Sequence, residues 1–448
     1  MIKVTFRPKA NSFRKVLSPL LSYVFTDKSV AGFLLVTGVA FLLRLAWNLT
    51  VHTYPISDFA WYHERAVGLI QGEGYSVHGN PTAYWPIGYP LFLAALYKVF
   101  GVHFYVAKVF NIIMSSVTVG LTFLLGRNLW SFAGGLCAGI LLAILPSQIE
   151  WTSVLCSEVL YTFLLVTSLY IFTLKKPEEQ NWFHPLASGV LLGLGCLVRP
   201  VGLLLPLFLW FIYFFSTKNF KRGVVLGGIL VASTLLTISP LTIRNYIVFK
   251  SFIPVSTNGG INLWQGNNPN ATGGYYWPSD PESNPLTPYF NDEVKRDQVA
   301  RKLALEFICN NPDKFLRLGL VKLYNYYKDD RNALTFSLNP TYPRLSEKTK
   351  LRITNIANRY YQIFMLIALF GAAICFLRKE HVNNQFIFCT AITVILYFSG
   401  VHFVFPAWDR YRFPIMPMFS LFAGLGLTII LNRLNFLGTK LLRINKRK

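Results

Sequence analysis

The sequence predicts an all-α protein that crosses a membrane many times, and three observations predict it. Of 448 residues, 53% are hydrophobic and 16% aromatic while only 14% are charged, more apolar side chain than a water-soluble core absorbs. Stretches such as 30–49, 154–174 and 223–243 approach the roughly 20 apolar residues that cross the hydrocarbon layer. Lipid offers the backbone no hydrogen-bond partner, so each crossing segment must be a helix. A soluble enzyme is excluded.

Taken in order, the apolar runs place spans at 29–50, 104–126, 131–147, 154–174, 185–199, 201–216, 223–244, 359–377, 384–404 and 411–432. That is about ten spans. Arg127, Lys175 with Lys176, Lys218 with Lys221 and Arg222, and Arg378 with Lys379 fall between spans on one side. The positive-inside rule makes that side cytoplasmic, together with both termini. The first span is preceded by Lys3, Arg7, Lys9, Arg14 and Lys15 without a small-residue cleavage site, so these read as a retained cytoplasmic tail.

The whole chain, 1–448, reads as one domain with two large extracytoplasmic pieces, 51–103 and 245–358. In the first, 59–69 and 90–100 have amphipathic helical spacing around a Gly- and Pro-rich run, as expected of two juxtamembrane helices lying on the membrane surface. In the second, a turn-rich part, 256–288, precedes a helical part, 293–328.

The net charge of +23 is dispersed among apolar spans, which points to membrane lipids as partners and away from nucleic acid. Six cysteines show no ligand spacing, so neither a disulfide framework nor a cysteine metal site is expected. His52, His63, His78 and His103 form no helical metal motif. No metal or other cofactor is expected to be required, with a divalent cation held at Glu158 left as an alternative.

Acids are scarce, so one beside apolar neighbours at a membrane interface needs a reason. Asp58 follows the first span in Tyr54-Pro-Ile-Ser-Asp-Phe-Ala-Trp-Tyr. It reads either as a helix-capping carboxylate, as a surface ion pair sharing a face with Tyr62 and Arg65, or as a general base toward an acceptor hydroxyl or amine. Glu158 opens the fourth span; it serves the helix dipole, orients Arg199 or completes an acceptor site. Glu150, just before it, is expected to be solvated. Arg199, Arg244, Arg410 and Arg412 stand at the outer ends of spans, placed for lipid headgroups or for a phosphate. Asn258, Asn262, Trp264 and Asn267 lie in a Gly- and amide-rich run that suits a sugar or a tight turn. Tyr84 and Tyr89 line the same cleft or anchor the interface.

Asp58, the Gly74-Tyr75 turn, Pro86-Ile-Gly-Tyr-Pro-Leu-Phe-Leu, Leu197-Val-Arg-Pro, Ile243-Arg-Asn-Tyr, Pro254-Val-Ser-Thr-Asn-Gly-Gly-Ile-Asn-Leu-Trp-Gln-Gly-Asn-Asn-Pro and Arg410-Tyr-Arg-Phe-Pro follow one another along nearly the whole chain. In order and placement they resemble the GT-C glycosyltransferases of the protein O-mannosyltransferase (glycosyltransferase family 39) and lipid A aminoarabinose transferase type. The resemblance implies an integral enzyme of a bacterial plasma membrane. It would move a sugar from a polyprenyl-phosphate carrier to a lipid, glycan or protein outside the cytoplasm, with inversion. Asp58 matches the catalytic acid, and Glu158 matches a further acidic position. The eukaryotic mannosyltransferases carry a second acid after the first, whereas Phe59 stands here, which favours a lipid- or glycan-modifying branch. The alternative function is a polyprenyl-lipid flippase or small-molecule transporter, which should place charged or broken helices at the membrane midplane.

Overall fold

A computed structural model describes residues 27–341, 344–377 and 382–445. The basic N-terminal tail and the pair Arg378 and Lys379 lie outside the described residues. In chain order, α1 (Asp27–Thr50) leads to a first connecting segment. That segment holds α2 (Asp58–Gln71), a hairpin of β1 (Ser76–Val77) antiparallel to β2 (Asn80–Pro81), and α3 (Gly88–Phe100). Then come α4 (Phe104–Leu129), α5 (Phe132–Ala143), α6 (Pro146–Glu150), α7 (Ser157–Thr173), α8 (Phe183–Val198), α9 (Leu205–Ser216) and α10 (Phe220–Phe249). A second connecting segment holds α11 (Gly259–Gly266), α12 (Glu293–Asn310), α13 (Pro312–Tyr327) and α14 (Asn332–Leu338). It is followed by α15 (Glu347–Leu377), α16 (Gln385–Val404), a 3-10 segment at Asp409–Ile415, and α17 (Met416–Asn445).

The architecture is the expected all-α, multi-pass one, but the number of full spans is smaller than the expected ten. Among the described residues six helices are long and apolar enough to cross a membrane, and a seventh is α5 with α6 and its following turn, bent by 65°. Pro146 explains the bend, since it cannot donate to the preceding turn. The segments expected at 154–174, 185–199 and 201–216 are shorter apolar helices. Their apolarity reflects burial inside the protein as much as contact with lipid. Along α7 most residues are enclosed, whereas α1 exposes Leu34, Leu35, Leu42 and Leu49.

Close helix approach replaces the hydrophobic effect, which is absent between helices in lipid. A Cβ on Gly371 would come within 2.0 Å of the Phe422 carbonyl, and one on Gly424 within 2.3 Å of the Gly134 carbonyl. These glycines let α15 and α5 lie directly on α17. Hydroxyls add interhelical bonds, including Ser168 to Ser188 at 2.7 Å and Thr234 to the Gly189 carbonyl at 3.0 Å.

Helices stand at both positions expected in the first connecting segment, as α2 and α3. The single helical stretch expected at 293–328 is instead two helices, because Pro312 opens α13 directly after α12 ends. The connecting segments meet at one end of the bundle, where Thr53 pairs with Thr341 and Thr82 with Glu293, and there the end of α1 joins the turn after α6 through Trp47 and Ser153. At the other end Asn383 bonds the Leu129 carbonyl, and Arg222 reaches the carbonyls of Pro177 and Gln180. The sorting of loops into two ends therefore follows the charge pattern. Glu150 departs from expectation: it is buried, next to Asp330 and Asp409, because α6 turns inward after Pro146.

Candidate functional site

Four segments far apart in sequence converge where the two connecting segments meet the bundle: the start of α2, the start of α7, the end of α8 and the 3-10 turn before α17. Ser57 precedes α2 with φ 53°, a left-handed conformation that costs a non-glycine residue energy. Its hydroxyl makes no cap and instead donates to Asp58 Oδ1 at 2.9 Å. Phe59, Tyr62 and Ala66 bury one face of α2, and Gly72 ends it at φ 85°, so the helix is fixed at both ends.

Asp58 Oδ2 accepts from Arg410 Nη1 at 3.0 Å, and its side chain is 31% exposed. Arg410 Nε donates to Glu158 Oε1 at 2.5 Å, and Arg199 Nη1 donates to the same oxygen at 2.7 Å and to Ser157 Oγ at 2.9 Å. Two carboxylates and two guanidiniums thus alternate in one chain of contacts. Phe59, Trp151 and Phe336 stand against the Arg410 guanidinium, with ring centres at 4.9, 5.5 and 5.7 Å, and Tyr411 against that of Arg199 at 5.7 Å. Local sequence could not pair Asp58 with Arg410. The helix-face reading paired it with Arg65, which instead bonds the Ser76 carbonyl and lies over Trp61.

Tyr62 follows Asp58 by one turn of α2. Burial raises the pKa of Tyr62, with Asp58 adding to it and Arg410 opposing. Burial likewise raises those of Tyr84 and Tyr275, and both sense Asp58. These hydroxyls therefore stay neutral donors at neutral pH. Tyr89 is fully buried against Tyr62, ring centres 5.3 Å apart, with its hydroxyl unpartnered.

The remaining residues read from the sequence lie apart from this group. Arg244 bonds the carbonyls of Thr82 at 2.9 Å and Tyr75 at 3.1 Å, tying α10 to the first connecting segment. Arg412 is fully buried and bonds the carbonyls of Tyr326 and Asp329 and the Asp330 carboxylate, with the Tyr361 ring centre at 4.1 Å. Trp264 packs with Ile261, Leu286, Ala300 and Ala304 in a small core of its own. Asn267 is enclosed, donating to the carbonyls of Leu263 and Val404 and accepting from Lys322 Nζ at 2.9 Å. Asn258 accepts from Ser256 Oγ at 2.9 Å, and Asn262 is exposed. The amide-rich run is thus a short helix whose Trp264 and Asn267 hold the second connecting segment together.

Sequence reading passed over Ser157, Tyr275, Arg296 and Tyr411. Two of them carried a signal, Tyr411 inside the Arg410-Tyr-Arg-Phe-Pro run and Ser157 directly before Glu158. Among the described residues no three His, Cys, Asp or Glu side chains gather as a metal-holding group. Glu158 Oε1 is already occupied by two cations of the chain itself.

Residues 85–243 match the sequence model of a family described as dolichyl-phosphate-mannose-protein mannosyltransferase. The comparison with curated proteins returns no significant match. Among solved structures, the Archaeoglobus fulgidus oligosaccharyltransferase in its apo form superposes with TM-score 0.56 and 13% identity, covering 93% of this chain and 52% of that one. The archaeal oligosaccharyltransferase AglB from the same organism, in complex with an inhibitory peptide and a dolichol-phosphate, gives TM-score 0.56 at 12% identity, covering 92% and 51%. The chain spans about half the length of these structures. The fold is GT-C-like, as the sequence resemblance implied.

Proposed function

We propose that the chain transfers a glycosyl group from a polyprenyl-phosphate-linked sugar to an acceptor at the membrane interface, on the extracytoplasmic side and with inversion. The observation that carries this reading is the placement of Asp58, a partly open carboxylate anchored through Arg410 to the enclosed Glu158 and Arg199. The fold supports it, and so does the dolichol-phosphate bound in one structure of that fold.

In this reaction the acceptor's oxygen or nitrogen attacks the anomeric carbon while the bond to the phosphate oxygen breaks. The electron pair leaves with the polyprenyl phosphate, and the acceptor's proton passes to Asp58 Oδ. Arg199 and Arg410 lie where charge develops on the phosphate; both are pre-positioned by Glu158, so little reorganisation accompanies the step. Tyr62 and Tyr84 supply neutral hydroxyl donors beside the sugar. Ser57, in a costly backbone conformation, aims the Asp58 carboxylate. The two connecting segments meet beside the reacting centre, and Asp58 stays partly open for the acceptor.

The test is transfer from a panel of labelled undecaprenyl-phosphate sugars in membranes holding equal amounts of wild type or Asp58→Asn. Wild type should release undecaprenyl phosphate and form a labelled product, and the variant should lose at least ~100-fold. Equal turnover by the two forms would remove Asp58 from the chemistry.

A further inference from the structure

Arg296, in the first turn of α12, is held differently from the arginines described above. Its guanidinium lies between two rings, 5.0 Å from the centre of Tyr84 and 5.7 Å from that of Phe290. Its Nε is enclosed without a hydrogen-bond partner. Among the described residues it takes part in no ion pair, unlike Arg199, Arg410 and Arg412.

The acids nearest in sequence are committed elsewhere. Asp292 accepts from the Lys295 backbone at 2.9 Å. Glu293 accepts from Ala83 N at 2.6 Å and Thr82 Oγ1 at 2.7 Å. Asp297 accepts from Gly260 N at 2.5 Å and Arg301 Nη2 at 2.7 Å. Arg296 is therefore a fixed cation without a counter-ion among the described residues. Stacking lowers the entropy it must lose on binding and orients its fork for an oxyanion. Its site joins the reacting centre through a run of rings: Tyr84 packs on Trp85 with ring centres 5.3 Å apart, Trp85 lies 5.9 Å from Tyr62, and Tyr62 follows Asp58 by one turn of α2. The Asp58–Arg410–Glu158–Arg199 chain is balanced in charge; Arg244 likewise takes part in no ion pair among the described residues, but its guanidinium is committed to the carbonyls of Thr82 and Tyr75 and to Asn245 Oδ1, which that of Arg296 is not.

We infer that Arg296 and Tyr84 form an acceptor subsite that binds a phosphate or carboxylate of the acceptor, so the acceptor is an anionic molecule. This rests on the transferase reading for the word acceptor, but the oxyanion site itself is tested without turnover. The full chain is placed in phosphatidylcholine nanodiscs and saturated with undecaprenyl phosphate, which fills the proposed donor site. It is then titrated with glucose 6-phosphate, with dioctanoyl phosphatidic acid and with neutral glucose.

At least one anionic probe should bind about tenfold or more tightly than glucose, and Arg296→Gln should remove that advantage. Preference for the soluble phosphate identifies a water-borne acceptor, and preference for the lipid identifies a membrane one. Arg296→Lys keeps the charge without the stacked fork and should show an intermediate loss, which covers the case in which Arg296→Gln melts early. Wild-type affinity in both variants, or no preference for anions, would overturn the subsite. If Asp58→Asn keeps full transfer while Arg296→Gln loses anion binding, the transferase mechanism falls and the anion site stands.

Discussion

Glu158 receives the Nε of Arg410 at 2.5 Å on an oxygen that also receives Arg199, with its own side chain shut off from solvent. Breaking a buried ion pair costs roughly 3–5 kcal/mol, because the partners keep their desolvation penalty without the attraction that offset it. Glu158→Gln, nearly the same shape, should therefore lower the melting temperature in detergent and reduce transfer at least ~100-fold. A variant that melts like wild type and turns over normally would show that neither arginine depends on Glu158.

The fold class was legible because apolar runs of span length and interspersed cations constrain it strongly. The span number was not, since a helix buried in protein and a helix facing lipid are equally apolar; α7 to α9 could not be told from full spans. At the site, Asp58 stood out through its position, and Arg199 and Arg410 through theirs. That Arg410 joins Asp58 to Glu158 depends on how the 3-10 turn before α17 packs against α7, which no local spacing records. Arg412 is two residues from Arg410 in sequence, yet it serves another cluster, because the 3-10 turn points the two side chains to different neighbours.

Trp264 separates a sugar-binding reading of the Gly- and Asn-rich run from a packing one. It is buried among Ile261, Leu286, Ala300 and Ala304. Trp264→Ala should cost about 3–5 kcal/mol in the second connecting segment. Protease cleavage between α11 and α12 should rise, while the donor KM of intact protein stays near that of wild type. A raised KM with unchanged protease resistance would return Trp264 to the substrate.

Lys322 is buried on α13, with Nζ bonded to Asn267 Oδ1 at 2.9 Å and the Val404 carbonyl at 2.8 Å. Burial lowers its pKa from 10.5 to about 8. Between these two values the unfolded chain binds a proton that the folded chain does not, so this group makes stability rise with pH across that window. Below about pH 8 both states are charged and the contribution is flat. Melting curves should show the wild type gaining stability relative to Lys322→Met from about pH 8 upward. Parallel profiles for the two proteins would remove Lys322 as the titrating group.

Arg410 and Arg412 make the sharpest contrast between site and scaffold. Arg412 satisfies the ends of α13 and the following loop through Tyr326, Asp329 and Asp330, under the Tyr361 ring. Removing that charge strands the buried Asp330, so Arg412→Gln should destabilise by roughly 3–5 kcal/mol. The fraction that stays folded should bind undecaprenyl phosphate as wild type does. In Arg410→Gln, Glu158 keeps Arg199 and Asp58 keeps contact with solvent, so folding is disturbed less. Its affinity for undecaprenyl phosphate should fall about tenfold or more, the loss expected for one charge-assisted contact to a phosphate. Thermal melting and lipid titration on the same samples decide between them. If Arg412→Gln melts normally and binds the lipid weakly, Arg412 belongs with the phosphate ligands and the division drawn between these two arginines is wrong.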